Sequence, residues 1–401
     1  MPSPQVDLSG ADVVDNHCHG LVVDELLQAD PATFEARLTL TGQAYLTSNQ
    51  NDPAVWRSVE ALVENNAYSL ISRRWLGEFL DCAQDPASLA RVRDSVLRAD
   101  PVGYTRRLLA DQNIVELVAD EGYTYMPVGG AELERLVGIP VHRVARIESF
   151  IDDLKGRQDV SSLDEFADAL VQRLDQAAAD PRTIALKSVI AYRTGLDIAD
   201  PPRSEAASAF RRWQAAGWAD SRADSKLVRD YLLHLAMAVI ERHDIALHIH
   251  CGDGDPDVVF GHSRPQDLYD FLRRYHRQPI VLMHAGHPWS EEAAYIASIL
   301  PHVHIDLSVL IPWASLNIES HLSKLIGMMP SSKLMYSSDQ VYEPELFWLP
   351  ARFARRALER ALSAAADAEY LTQAEGEAIG RGILAGNTRR VHGIETRKDN
   401  M

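Results

Sequence analysis

Short β-type runs alternate with helical stretches along this chain, and this alternation constrains its fold more than any other feature. The runs are DVVDNH at 12–17, NIVELVAD at 113–120, VHRVARIE at 141–148, TIALKSVIAY at 183–192, IALHIHCG at 245–252, PIVLMHAG at 279–286, HVHIDLSV at 302–309 and KLMYSSDQ at 333–340. A strand followed by a helix, eight times over, is typical of a parallel barrel. Doubly wound nucleotide-binding sheets have fewer strands, and no glycine-rich phosphate loop follows the first run. We therefore predict an α/β fold, a (β/α)8 TIM barrel.

The spacing of the runs is uneven. Residues 20–112 separate the first run from the second and carry helical periodicity, so they are far longer than an ordinary βα connection. We predict a helical insertion at the catalytic rim, where it would act as a lid, a substrate wall or an oligomer contact. We expect residues 345–394 to form helices that complete the barrel. We expect one domain, 1–401.

Charge and cysteine content exclude several classes of protein. The 401 residues have a formal net charge of −17 and no basic run, which argues against nucleic acid as a partner. The three cysteines lack paired spacing, which indicates a reducing compartment. The N-terminal stretch lacks the features of a signal peptide, and no apolar run reaches about 18 residues. We expect a cytoplasmic protein that does not bind a membrane.

Ionisable residues collect at the ends of the predicted strands, where barrel enzymes place their active sites. His17 and His19 end the first run; because they are two residues apart in a strand, they share one face. Other strands contribute His250, His284 and Asp339 at their ends and Lys187 within the fourth run. Such a set at five different strands is hard to obtain by chance.

These residues predict a metal site. His17, His19, His250 and Asp339 form a His₃Asp set that suits Zn²⁺, with Mn²⁺, Fe²⁺ or Co²⁺ as alternatives, and it leaves a position for water. A divalent ion there activates water at neutral pH. Asp339 would accept the proton of that water, and His284 would act as a general base or as an electrophile that polarises a substrate carbonyl.

Substrate-binding candidates follow the fourth and fifth strands. Arg193, after Tyr192, offers a bidentate fork for a carboxylate; a surface salt bridge is the alternative. Asp253, in the stretch GDGDPD, forms a Gly/Asp turn or contacts a substrate amine. We expect a small-molecule substrate that carries a carboxylate.

The pattern resembles the amidohydrolase superfamily, and specifically its amidohydrolase-2 branch. It is similar in particular to amidohydrolase-like domains fused to glutamine-synthetase-like domains in plant nodulin-type and fungal proteins, and to their stand-alone bacterial forms. The matching stretches are VVDNHCHG, ARIES, IALKSVIAYRTGLDI, HIHCGDGDPD, VLMHAGHPWSEEAAYIA, VHIDLS, KLMYSSD and GNTRRVHG. They extend from residue 13 to 393, and no glutamine-synthetase-like half is present.

The resemblance implies the same four ligands, with His284 at the metal or beside it. Some members of the superfamily carboxylate a strand-4 lysine to bridge two metals, so Lys187 is either such a bridge or a free ammonium that binds a substrate carboxylate. We expect one ion rather than two, and a homodimer as the default for such barrels.

The activity implied is that of a metal-dependent amidohydrolase, which cleaves an amide or another C–N bond of a small polar metabolite; by analogy with the fused relatives, a γ-glutamyl amide is one such substrate. The alternative is a metal-dependent non-oxidative decarboxylase of the same branch. A non-catalytic metabolite-binding barrel would be marked by a lost ligand, and all expected positions are filled here.

Overall fold

The computed structural model of the protein describes residues 5–47, 52–123 and 128–395. Its eight strands are β1 (Val13–Cys18), β2 (Ile114–Asp120), β3 (Val141–Arg146), β4 (Thr183–Ser188), β5 (Ala246–Ile249), β6 (Ile280–Leu282), β7 (Val303–Asp306) and β8 (Leu334–Met335). They pair in parallel in the order β1 to β8, and an isolated parallel bridge between Cys18 and Gln340 links the two ends of the sheet. The prediction of a (β/α)8 barrel is confirmed.

Several strands are shorter than the predicted runs, and the difference lies mainly at their carboxyl ends. β6 ends at Leu282 and β8 at Met335, whereas the runs extend to 286 and 340. There the chain leaves the ladder with positive φ angles at His284 (61°) and Asp339 (54°), a conformation incompatible with an extended strand. The residues mistaken for strand ends form the loops of the catalytic rim.

Helices cover the outside of the barrel. They are α1 (Val23–Gln28), α2 (Pro31–Arg37), α3 (Leu40–Thr47), α4 (Pro53–Glu64), α5 (Ala67–Leu80), α6 (Pro86–Ala99), α7 (Pro101–Asp111), α8 (Gly130–Val137), α9 (Ile147–Leu154), α10 (Leu163–Ala178), α11 (Arg203–Ala215), α12 (Lys226–His243), α13 (Tyr269–Arg274), α14 (Ser290–Ile299), α15 (Leu310–Ala314), α16 (Ile318–Met328), α17 (Glu345–Asp367), α18 (Gln373–Arg381) and α19 (Asn387–His392). Among the described residues, no helix is long and apolar enough to cross a membrane.

Helices α1 to α7 form the predicted insertion between β1 and β2. Four of them begin at an Asp-Pro pair: 30–31, 52–53, 85–86 and 100–101. In each pair the aspartate side chain accepts a hydrogen bond from a backbone N–H of the first turn, and the proline occupies the start of the helix. An aspartate cap satisfies an otherwise unpaired N–H, and proline has none to lose at that position. The sequence thus divides this long segment into separate helices.

The apolar core lies mainly between the strands and the surrounding helices. Inside the barrel, a small apolar layer contains Val118, Val144, Ala185 and Ala246, one residue from each of β2 to β5. Charged and polar groups occupy the rest of the interior, including Lys187 and His248. The small side chains of the layer leave room for these polar groups below the carboxyl ends of the strands.

Candidate metal centre

His17 and His19 stand at the carboxyl end of β1, and bonds across the seam between β8 and β1 bring Asp339 to them. Asp15 accepts a hydrogen bond from the backbone N–H of Ser338 at 2.9 Å. The backbone N–H of Asp339 donates to the carbonyl of His17, also at 2.9 Å. These bonds hold Asp339 in its left-handed conformation, which side chains other than glycine rarely adopt without such support.

The Nε2 atoms of both histidines face one carboxylate oxygen, Oδ1 of Asp339. The distances are 2.9 Å from His17 and 3.5 Å from His19. Neighbouring ligand atoms in a tetrahedral Zn²⁺ site with bonds of about 2.0–2.1 Å are about 3.3 Å apart, and the two observed distances bracket that value. In residues 5–47, 52–123 and 128–395, this is the one group of three His, Cys, Asp or Glu side chains whose ligand atoms converge within 4.8 Å.

The protonation states of these groups also fit a metal ion. Burial, and then the neighbouring Lys187, lowers the pKa of His17 to about 3, so its imidazole is neutral. Burial opposes ionisation of Asp339, but its contacts with the two imidazoles hold its pKa well below the ordinary value. His19 Nδ1 lies 3.3 Å from the carbonyl oxygen of Asp120; because a carbonyl only accepts, Nδ1 carries a proton, and in the neutral imidazole that a metal ion requires the lone pair of Nε2 faces Asp339. Metal binding requires ligands deprotonated in this way.

His250, predicted from the sequence as the fourth ligand, lies against His284. Its Nε2 is 2.8 Å from the carbonyl oxygen of Asp253, and its Nδ1 is 2.7 Å from Nε2 of His284. The carbonyl requires the proton on Nε2 of His250, so Nδ1 accepts from His284. Burial lowers the pKa of both imidazoles, that of His250 to about 3. Both nitrogens of His250 are engaged here, and coordination by this residue stays a prediction.

The same bonds leave one nitrogen of His284 free of a proton. Because Nε2 donates to His250, Nδ1 of a neutral imidazole is bare. This atom is buried and has no hydrogen-bond partner in the described part of the chain. Of the two roles predicted for His284, the hydrogen bonds favour the general base.

Lys187 lies beneath the metal group and shares a carboxylate with Arg146. Its Nζ is 2.9 Å from Nε2 of His17 and 3.1 Å from Oδ2 of Asp120. The same oxygen accepts a hydrogen bond from Arg146 at 2.5 Å. Burial opposes ionisation of Asp120, but Arg146 and Lys187 hold its pKa well below the ordinary value. One carboxylate thus serves two cations.

A cavity of about 250 Å³ opens over the metal group. His19, His250, His284 and Asp339 line its floor, and Leu40 and Gln43 of α3 line part of its wall. The helical insertion therefore supplies part of the cavity wall; its roles as substrate wall, lid or oligomer contact stay predictions. Ligand pockets commonly measure about 300–1,000 Å³, so this cavity suits a small metabolite.

Tyr192 and Arg193 both line this cavity. The Tyr192 ring packs on His250, with centroids 4.6 Å apart, and its hydroxyl accepts from the backbone N–H of Asp255 at 3.1 Å. The Arg193 guanidinium lies 3.7 Å from Asp220 and 3.9 Å from Asp152. These separations exceed those of hydrogen bonds, so the guanidinium retains donors for a carboxylate.

The carboxylate of Asp253 is paired with a neighbouring loop. Its Oδ2 accepts from Nδ1 of His287 at 2.9 Å, and the residue is not part of the cavity wall. The next acidic residues of the loop, Asp255 and Asp257, line the cavity instead. Direct contact between Asp253 and a substrate stays a prediction.

A larger cavity, of about 1030 Å³, opens at the amino end of the barrel, where Glu116, His142 and Arg389 line it. These three ionisable groups are already paired with one another: Glu116 lies 3.1 Å from His142 and 2.7 Å from Arg389. The residues that could hold a metal ion lie at the smaller cavity, which we therefore identify as the functional site.

The sequence patterns missed three carboxylates and one aromatic residue of this site. Asp15 and Asp120 support the metal group as described above. Asp306 accepts from the backbone N–H of His284 at 2.9 Å and so supports its left-handed conformation. Asp120 and Asp306 are the last residues of β2 and β7, so the strand-end rule applied to all eight strands would have found them. Tyr123, whose ring lies 4.6 Å from that of His19, follows no such pattern.

Comparisons with known proteins identify the family of the chain. The sequence profile of the amidohydrolase-2 family, described as amidohydrolase, matches residues 154–394. Protein fluG of Emericella nidulans is 28% identical over 304 residues, which are 69% of this chain and 35% of that protein. The chain therefore spans about a third of the length of this curated relative.

Solved structures share the fold along nearly the whole chain. A candidate metal-dependent hydrolase from Lactobacillus casei superposes with a TM-score of 0.81 at 24% identity and covers 97% of this chain and 98% of its own. The glucuronate isomerase of Caulobacter crescentus has a TM-score of 0.67 at 16% identity, with 98% and 93% covered. The uronate isomerase of Thermotoga maritima has a TM-score of 0.65 at 14% identity, with 97% and 95% covered. At these identities the likeness establishes a common barrel architecture. Because the family profile matches more than half of the chain, this protein belongs to the amidohydrolase-2 family and is a metal-dependent enzyme of the amidohydrolase superfamily.

Proposed function

We propose that the protein hydrolyses an amide, or another C–N bond, of a small metabolite that carries a carboxylate. The observation that carries this proposal is the convergence of His17, His19 and Asp339 within 4.8 Å, beside a cavity that His19, Asp339 and Arg193 line. The three residues would hold one divalent ion, with Zn²⁺ as the best match to two imidazoles and a carboxylate. Such an ion, when bound, supplies a Lewis acid that activates water.

Two bases of the chain would take up the two protons that the attacking water loses in this reaction. Hydrolysis consumes one water, whose oxygen ends in the product acid; one proton goes to the leaving nitrogen and another is released with the carboxylate. Asp339 is ionised and lies at the metal group, so it would take the first proton and pass it to the nitrogen. The bare Nδ1 of His284 would accept the second.

Three further residues would position the substrate. Arg193 would bind its carboxylate through the guanidinium fork. Lys187 would place a positive charge beside the reacting carbonyl, and Tyr192 would fix the wall of the cavity next to His250. These roles follow from the contacts of each side chain with the cavity and the metal group.

The test is a panel of N-acyl and primary amides of small carboxylic acids, assayed with zinc-loaded protein in water enriched in ¹⁸O. We expect release of amine or ammonia, with one ¹⁸O in the product acid. Asp339→Asn should lower the rate by about 10²–10⁴-fold, whereas His276→Ala, at an exposed histidine, should retain it. Release of CO₂ from carboxylic acids, without cleavage of any amide, would instead support the decarboxylase and overturn this proposal.

A further inference from the structure

A cluster of five charged residues behind the cavity has one cation more than it has carboxylates. This rim cluster consists of Lys155, Arg193 and Arg229 with Asp152 and Asp220. Arg229 holds Asp220 with two bonds of 2.7 Å, and Lys155 holds Asp152 at 2.7 Å. Arg193 approaches the same carboxylates no closer than 3.7 Å. The unneutralised charge therefore resides on Arg193, the member of the cluster that lines the cavity.

An unneutralised anion lines the same cavity. Asp257 belongs to the wall of the cavity at its exposed mouth. No residue in 5–47, 52–123 or 128–395 forms a hydrogen bond or ion pair with its carboxylate. The loop that carries it is attached to the site, because the backbone N–H of Asp255 donates to the Tyr192 hydroxyl at 3.1 Å. Tyr192 in turn packs on His250, so the acidic loop is joined to the floor of the cavity.

We infer that the substrate is a zwitterion, with a carboxylate bound by Arg193 and an ammonium group bound by Asp257. A ligand with both charges neutralises Arg193 and Asp257 at once, whereas a simple carboxylate leaves Asp257 unmatched beside it. The other two cations of the cavity, Arg146 and Lys187, are paired with Asp120 beneath the metal group. They lie next to the part of the substrate that reacts. This inference rests on the proposed function and deepens it, because it assigns the part of the substrate that does not react.

Binding of four probes of similar chain length tests the inference without turnover. Norvaline carries both charges, pentanoate the carboxylate alone, pentylamine the ammonium alone, and glutarate two carboxylates. Dissociation constants are measured by calorimetry on the zinc-loaded full chain. We expect norvaline to bind about tenfold more tightly than the other three, the size expected for one hydrogen bond to a charged group.

Two substitutions test which residue binds the ammonium group and which binds the carboxylate. Asp257→Asn should weaken norvaline about tenfold and leave pentanoate unchanged, whereas Arg193→Gln should weaken both. Arg203→Gln, at an exposed arginine paired with Asp164, is the matched control and should change neither. Equal affinity for norvaline and pentanoate, tighter binding of glutarate, or no effect of Asp257→Asn on norvaline would overturn the inference.

These experiments test the zwitterion site separately from the proposed hydrolysis. If the four probes and the variants behave as expected but no amide is cleaved, the zwitterion site stands and hydrolysis is refuted. If amides that lack an ammonium group are cleaved as fast as those that carry one, hydrolysis stands and the zwitterion site is refuted.

Discussion

Replacing Arg93 by methionine should destabilise the fold by about 3–5 kcal/mol, because it would leave two buried carboxylates short of a partner. Arg93 belongs to α6 of the insertion. Its Nε lies 2.8 Å from Glu345 and its Nη2 lies 2.5 Å from Glu343. The Tyr104 hydroxyl donates to Glu345 at 2.7 Å, and Arg37 donates to Glu343 at 3.0 Å. This group joins the insertion to the segment that follows Asp339.

The magnitude follows from burial. The side chains of Glu343 and Glu345 are 0% exposed and that of Arg93 is 3% exposed, so water cannot replace the lost guanidinium. Removal of one partner of a buried ion pair costs about 3–5 kcal/mol. With an unfolding entropy of about 2.1 cal/mol/K per residue, or about 0.8 kcal/mol/K for the whole chain, the Tm should fall by about 4–6 °C.

The deficit should depend on pH. Burial raises the pKa of Glu343 in the native protein, while Arg93 opposes that rise; without Arg93 the pKa rises further. A group with a raised pKa in the folded state contributes stability below its unfolded pKa, about 4.3, and loses it as the pH rises through the folded value. The difference in free energy of unfolding between Arg93→Met and the wild type should therefore be smaller at pH 5 than at pH 8.

Urea unfolding followed by circular dichroism measures the effect. The matched control is Arg98→Met on the same helix, because Arg98 and Asp94 form an exposed pair, 53% and 43% accessible. That variant should lose less than about 1 kcal/mol. If Arg93→Met costs no more than Arg98→Met, or if its deficit grows at pH 5, the argument from burial is refuted.

Three further predictions concern the metal group. His17→Ala should abolish tight binding of Zn²⁺ in elemental analysis, whereas His276→Ala should retain it; equal loss in both would contradict the assigned ligands. Asp120→Asn should weaken Zn²⁺ binding by about 10–100-fold in chelator competition, because it removes the charge that balances Lys187 beside His17; an unchanged affinity would contradict this support. Lys187→Ala should keep the same metal content as the wild type, and the loss of one of two ions would show that the lysine bridges them.

The sequence predicted those parts of the fold and the site that follow strand periodicity. The alternation of β-type and helical runs identified all eight strands, and the strand-end rule found His17, His19 and Asp339, whose ligand atoms converge. His17 and His19 share a face because a strand alternates its side chains. Asp339 lies on a loop after β8 rather than in the strand, but the bond from its backbone to His17 brings it to the same place.

Contacts that depend on loop geometry or on shared partners could not be predicted in this way. The position of Asp253 depends on the turn after β5, which directs its carboxylate to His287 and leaves Asp255 and Asp257 on the wall. The pairing of His250 with His284 depends on a carbonyl of the same turn. No periodicity encodes these contacts, because they arise from the approach of two loops from neighbouring strands.

The charges around Lys187 would differ between a site with one metal ion and a site with two. A carboxylated lysine would carry a negative charge close to Asp120, whose Oδ2 lies 3.1 Å from Nζ in the structure. Two bridged divalent ions would have to balance that charge, so the carboxylated form depends on both ions being bound in this buried site. As an ammonium, Lys187 instead shares Asp120 with Arg146, and its charge is balanced there with no second ion. This pairing fits the single ion that we expect, and the metal content of Lys187→Ala tests it.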